Sequence, residues 1–270
     1  MTTLQDTQWC EFEANGFLKL GRVISDEDLA TLQQRIDDIM LGNADVDYER
    51  MLMQLDGNVD QDRMKQVMAA ETERHAYSAA YPQSKGHKVA TLNYRKIQDL
   101  EYDPIFRDYL RRPLFRDICG HVYGVDRKIA VYRAMFMNKP AGAGSHLPWH
   151  QDRWPELDRD PLITIWTALD PATRESGCLQ IIPGSHKRLI NPCSFLTAEE
   201  TVEHCRRDKV HLLELDAGEA ALLHNWLLHS SGGNSSARPR RAYSVCYMDA
   251  ATTDSTGKSY NIAFDGGALA

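Results

Sequence analysis

From Gly124 onward the chain becomes a succession of short apolar segments with strand character: Lys128 to Met137, Leu162 to Leu169, Cys178 to Ile182, Val210 to Leu215, Ala220 to Leu223 and Ala242 to Met248. Turn-rich stretches such as Ala141-Gly142-Ala143-Gly144 and Pro183-Gly184-Ser185 separate them, with glycine and proline at the reversals. No fixed-period repeat is present. Segments this short cannot cover their own apolar faces and must bury them against one another. The expected architecture is mostly β, a sandwich or jelly roll.

The preceding part reads differently. Gln8 to Asn15 carries Trp9 and Phe12 at helical spacing and stops at Gly16, before a short strand at Phe17-Leu18-Lys19-Leu20. Ser25 precedes Asp26-Glu27-Asp28 and an apolar stripe of Leu29, Leu32, Ile36 and Ile39, closed by Gly42; this spacing predicts a capped amphipathic helix. Residues 43–88 show no dominant period and are left unassigned. Val89 to Ile97 reads as a strand, and Pro104 to Tyr123 as two short helices divided at Pro113. The expectation is a single domain over residues 1–270, with flanking N-terminal helices up to about residue 125 and a β core from about 126 to 250.

Composition narrows the partners. A net charge of -7 argues against a nucleic-acid surface. The six cysteines are scattered, without a CxxC pair, and read as reduced thiols. The first residues lack a basic segment followed by an apolar run, and no stretch of about eighteen apolar residues occurs. A cytoplasmic protein with no membrane partner is expected.

Chemistry concentrates in Trp149-His150-Gln151-Asp152-Arg153-Trp154. In an extended chain, residues two apart share a face, so His150 and Asp152 can offer an imidazole nitrogen and a carboxylate to one ion. Such a pair needs a third donor. The candidate is His229, delivered by an apolar run to the edge of Ser230-Ser231-Gly232-Gly233. Two histidines and one carboxylate suit the facial triad of non-haem iron(II) oxygenases. His224 is the rival, but lies inside the apolar stretch without the following turn.

The segments Pro148-Trp149-His150-Gln151-Asp152, Trp166-Thr167-Ala168-Leu169-Asp170, Ser176-Gly177-Cys178-Leu179, Ile182-Pro183-Gly184-Ser185-His186 and His229-Ser230-Ser231-Gly232 through Arg238-Pro239-Arg240-Arg241 together resemble the phytanoyl-CoA dioxygenase family of iron(II)- and 2-oxoglutarate-dependent oxygenases. They cover roughly the C-terminal half, in the family's order. The resemblance implies a double-stranded β-helix, His150, Asp152 and His229 as iron ligands and catalytic residues, and an arginine at Arg240 that pairs with the distal carboxylate of 2-oxoglutarate, helped by Ser231. A guanidinium fork matches a carboxylate through two parallel hydrogen bonds. Arg241 should face the other side of its strand, and Arg238 precedes a proline. Trp166 looks like the family's tryptophan at the co-substrate pocket.

The implied reaction consumes dioxygen and 2-oxoglutarate, releases succinate and CO2, and hydroxylates a substrate. Related halogenases replace the ligand carboxylate with a small residue, so Asp152 favours hydroxylation. Cationic Arg95, Lys96, Arg133 and Arg153, with Asn93, Tyr94, Tyr132 and Trp154, lie near segments expected to approach the pocket; they suggest a small polar or anionic metabolite. Two readings compete: a non-catalytic β-helix protein that binds a small molecule, and a zinc hydrolase, which would give Arg240 no task.

Overall fold

The computed structural model describes residues 3–56, 84–191 and 195–267; most of the segment left unassigned above lies outside these. Helix α1 (Asp6–Asn15) leads into β1 (Phe17–Arg22), and α2 (Asp26–Leu41) follows. The Ser25 hydroxyl accepts from the Asp28 amide at the start of α2, three acidic residues occupy its first turn, and Gly42 ends it at φ 78°. Such a cap contributes about 1 kcal/mol. Leu29, Leu32, Ile36 and Ile39 form the buried face of α2. The division at Pro113 holds: α3 (Pro104–Leu110) and α4 (Pro113–Tyr123) each begin with proline, where the missing amide costs nothing.

The strands form two antiparallel sheets. The larger runs in the order β1-β9-β6-β11-β4-β3-β2, with β12 (Ile262–Phe264) also on β4; its members include β2 (Met53–Leu55), β3 (Tyr94–Gln98), β4 (Ile129–Lys139), β6 (Ile163–Ala168), β9 (Glu219–His224) and β11 (Arg240–Asp249). The smaller has the order β5-β10-β7-β8, made of Leu147–His150, His229–Ser231, Leu179–Ile181 and His211–Leu213 respectively. A short helix α5 (Ala198–His204) precedes β8. The fold is a mostly β jelly roll with flanking helices.

Period-two alternation assigns each side chain a face. Ile163, Ile165, Leu222, Tyr243, Val245 and Tyr247 turn outward into the core shared with α2, α3 and α4. Their neighbours Trp166, Ala168, Ala221, Leu223 and Ala242 turn inward, against Leu179, Ile181 and Leu213 of the smaller sheet. Arg241 obeys the same parity. It leaves the interior to form two bonds with the Asp170 carboxylate (2.7 and 2.9 Å) and one with Asp37 of α2 (2.7 Å), tying the helix layer to the sheet.

Two features depart from simple strand reading. The strand expected from Val89 begins only at Tyr94, because the Tyr94 hydroxyl accepts from the Lys88 and Val89 amides (2.7 and 3.0 Å) and folds that backbone over itself. In β4 the register slips: Arg133 faces Cys246 but Val131 faces Tyr247, so Tyr132 is an extra residue. This β-bulge turns consecutive side chains to one side. Tyr132 packs with Trp154 and Cys246, while Val131 and Ala134 stay in the outer core.

Candidate active site

The concave face of the larger sheet and the edge of the smaller one enclose a cavity of about 410 Å³. His150 closes β5 and His229 opens β10, and the two are direct partners across that ladder. Their imidazoles lie with ring centres 4.0 Å apart. Each ring is oriented the same way: Nδ1 of His150 bonds the Pro148 carbonyl (2.7 Å), and Nδ1 of His229 bonds the Leu227 carbonyl (2.9 Å). A carbonyl only accepts, so both Nδ1 atoms carry the proton and both Nε2 lone pairs are available. Burial, then the neighbouring His229, lowers the His150 pKa to about 3, which keeps this ring neutral.

Asp152 completes the group. Its backbone has left the strand, and its amide donates to the Asn225 carbonyl (2.7 Å). Its carboxylate oxygens stand 3.8 Å from His150 Nε2 and 3.9 Å from His229 Nε2. The donor atoms of the three residues all lie within 4.8 Å of one another. Two metal bonds of about 2.1 Å span at most about 4.2 Å, so both carboxylate separations fit one ion. Gln151, fully buried between two candidate ligands, donates to the carbonyls of Arg188 (2.7 Å) and Trp226 (2.6 Å) and accepts from the Ile190 amide (2.8 Å). Asn225 takes the Thr164 hydroxyl (2.6 Å) and donates to Pro161 (2.8 Å). These two amides, unnoticed in the sequence, hold the ligand loop to its surroundings.

Arg240, at the start of β11, lines the same cavity and is 3 % exposed. Its guanidinium makes one hydrogen bond, from Nη2 to the Gly177 carbonyl (3.2 Å), and its buried Nε has no partner among the described residues. Burial lowers its pKa to about 10, so it remains a cation at neutral pH. Its charge stands 5.5 Å from the Trp166 ring, whose buried Nε1 likewise has no partner. A desolvated fork without a counter-charge is costly unless an anion meets it. Ser231, buried two residues after His229, lines this end too. So does Lys139, which sequence reading missed because its strand was ended at Met137; it shares parity with Arg133, Met135 and Met137.

The expected substrate residues divide. Arg95, Lys96, Arg133, Arg153 and Trp154 all line the cavity. Arg95 bonds Gln54 (2.9 Å), and Arg153 pairs with Asp160 (3.1 Å). The Lys96 pKa is depressed by burial and by Arg133 and Arg95, with Asp152 opposing the shift. Tyr94 does not contribute: it sits in the outer core with its hydroxyl committed to residues 88–89.

His224, the rival ligand, is not part of the triad cluster. Its Nδ1 accepts from the Trp226 amide (3.1 Å), and its ring lies 5.1 Å from that of His186. Burial, then His186, lowers its pKa from 6.5 to about 4. Between those values the unfolded chain binds a proton here that the folded chain refuses. Stability from this site is therefore complete above about pH 6.5 and is lost as pH falls toward 4. Thermal melts of His224→Gln should show a shallower decline over that window than wild type; equal slopes would mean the ring titrates normally.

The donor set inside this jelly-roll frame suits iron, and the family profile and the relatives that the chain matches are dioxygenases, so the protein is a 2-oxoglutarate-dependent dioxygenase. The chain belongs to the phytanoyl-CoA dioxygenase family, whose sequence profile (PhyH) matches residues 12–242. It is 28% identical to a probable phytanoyl-CoA dioxygenase of Caenorhabditis elegans, over 88% of this chain and 73% of that protein. It is 24% identical to the phytanoyl-CoA dioxygenase of Arabidopsis thaliana, over 87% and 85%. Among solved structures, EctD from S. alaskensis in its apo form superposes with a TM-score of 0.69 at 17% identity, covering 95% of this chain and 81% of that one. SnoK, a non-haem α-ketoglutarate-dependent carbocyclase from nogalamycin biosynthesis, gives 0.65 at 18%, covering 94% and 87%. No described helix is long and apolar enough to cross a membrane.

Proposed function

We propose that this enzyme hydroxylates a small polar or anionic metabolite, with His150, Asp152 and His229 holding iron(II) and Arg240 holding the distal carboxylate of 2-oxoglutarate. The observation that carries the reading is the presence, in one cavity, of the three ligands and a buried guanidinium with no counter-ion among the described residues. When bound, the iron and 2-oxoglutarate supply oxygen activation, with succinate and CO2 as by-products.

The protein's part is positional. The Pro148 and Leu227 carbonyls fix the two imidazoles as Nε2 donors. Arg240 and Ser231, which line the same cavity as the triad, would hold the co-substrate's distal carboxylate. Trp166 and the methionines of β4 wall the space and exclude water. Asp152 occupies the place a halide would need, which favours hydroxylation over halogenation.

A non-catalytic binding protein would not need two imidazoles preset by carbonyl partners beside a carboxylate, and a zinc hydrolase would not need Arg240. The test is a mass-spectrometric screen of small polar metabolites with iron(II), 2-oxoglutarate and air. A product heavier by one oxygen, formed in step with succinate, is expected. Turnover of a substrate without succinate would contradict the proposal.

A further inference from the structure

Arg133 is one of the cavity cations that neither the metal nor the distal carboxylate of the co-substrate employs. We infer that it is the anchor for a carboxylate on the substrate, an assignment that rests on the oxygenase reading above. Its placement is built. The extra residue in β4 brings Tyr132 and Arg133 to the concave side together, which regular alternation forbids. The guanidinium then lies 5.3 Å from the Tyr132 ring and 5.4 Å from the Trp154 ring. Those rings are themselves packed at 4.4 Å. The two rings flank the guanidinium, and Arg133 lines the cavity. Among the described residues it has neither an ion pair nor a hydrogen bond, whereas Arg153 beside it is paired with Asp160.

The surroundings select the kind of anion. Glu156 lines the same end of the cavity and accepts from the Tyr132 hydroxyl (2.9 Å), and Asp152 stands at the metal. A phosphate dianion would meet these carboxylates with one uncommitted guanidinium to balance it. A carboxylate carries one charge, matches the planar fork in two parallel hydrogen bonds, and leaves Glu156 to receive a donor group of the same molecule. The cavity volume, shared with the co-substrate, suits a compact molecule. The reacting carbon is then one held between the Arg133 anchor and the metal.

The test uses full-length enzyme loaded anaerobically with iron(II) and 2-oxoglutarate. Small carboxylic and amino acids, their primary amides, and phosphate monoesters of similar size are added. The readouts are perturbation of the visible metal-to-ligand band and, after admitting air, substrate-stimulated succinate release. Wild type should respond to carboxylates and not to the matching amides. Arg133→Met should weaken that response about 30-fold or more, while iron and 2-oxoglutarate bind within about twofold of wild type. Arg133→Lys should recover part of it, having charge without the fork. The inference is overturned if amides or phosphates act as well as carboxylates, if no carboxylate acts, or if Arg133→Met responds like wild type. Absence of the band in wild type before any compound is added would instead refute the oxygenase reading.

Discussion

Replacing Arg240 with methionine is expected to weaken 2-oxoglutarate binding by roughly 30- to 1000-fold, or about 2–4 kcal/mol, with the protein still folded and still able to take up iron. The guanidinium is buried, makes one bond to the Gly177 carbonyl, and keeps its Nε unpartnered among the described residues. A carboxylate arriving there gains charge-assisted bonds in a desolvated site, which are worth far more than surface pairs. Methionine has similar length and no charge, so folding loses little; removing an unpaired buried cation even relieves a desolvation cost. The enzyme alone is therefore predicted to be as stable as wild type or more so, with the defect confined to the co-substrate. Lysine at this position should give an intermediate affinity, since it restores charge without the planar fork. Isothermal titration of 2-oxoglutarate into the iron-loaded variants separates these outcomes; an unchanged affinity for Arg240→Met would move the distal-carboxylate role to Lys139.

Asp152→Ala is expected to abolish hydroxylation and to lower iron affinity by at least about 100-fold, because loss of mere supporting partners of metal ligands already costs about 10- to 100-fold. The carboxylate is the one anionic donor in the cluster, and its oxygens bridge both histidines at 3.8 and 3.9 Å. His224→Ala is the matched control. It removes a half-buried imidazole of similar chemistry from the same cavity, yet His224 lies outside the cluster and accepts from the Trp226 amide. Iron binding should survive it with little change. Loss of iron in His224→Ala, with retention in a His229→Ala counterpart, would transfer the third ligand to His224.

The metal end of this site was legible in the sequence through the motif segments around residues 148–152 and 229–232, and the side taken by Arg240 through strand parity, a local property. Arg240 and Arg241 were separated by alternation alone, and the structure places Arg241 on Asp170 and Asp37, away from the cavity. The cap of α2 and the break at Pro113 are likewise written in a few adjacent residues. What escaped depends on contacts distant in sequence. Gln151 serves backbone groups near residues 188–190 and 226, and Asn225 serves residues 152, 161 and 164. The short strands that carry His150 and His229 have few residues in which to show a period. The bulge at Tyr132 defeats parity where it matters, since its cause is the pairing with β11 and not the residues of β4. Tyr94 shows the reverse error: its polar hydroxyl suggested the pocket, but parity turns it into the outer core.

The most direct test of the central claim is an anaerobic titration of 2-oxoglutarate into the iron(II)-loaded protein, followed by visible absorption. The triad and Arg240 together predict a weak metal-to-ligand band that saturates with one equivalent of 2-oxoglutarate and is absent in Asp152→Ala. No band in the wild-type protein, with iron and 2-oxoglutarate both present in excess, would contradict the assignment of this cavity to oxygenase chemistry.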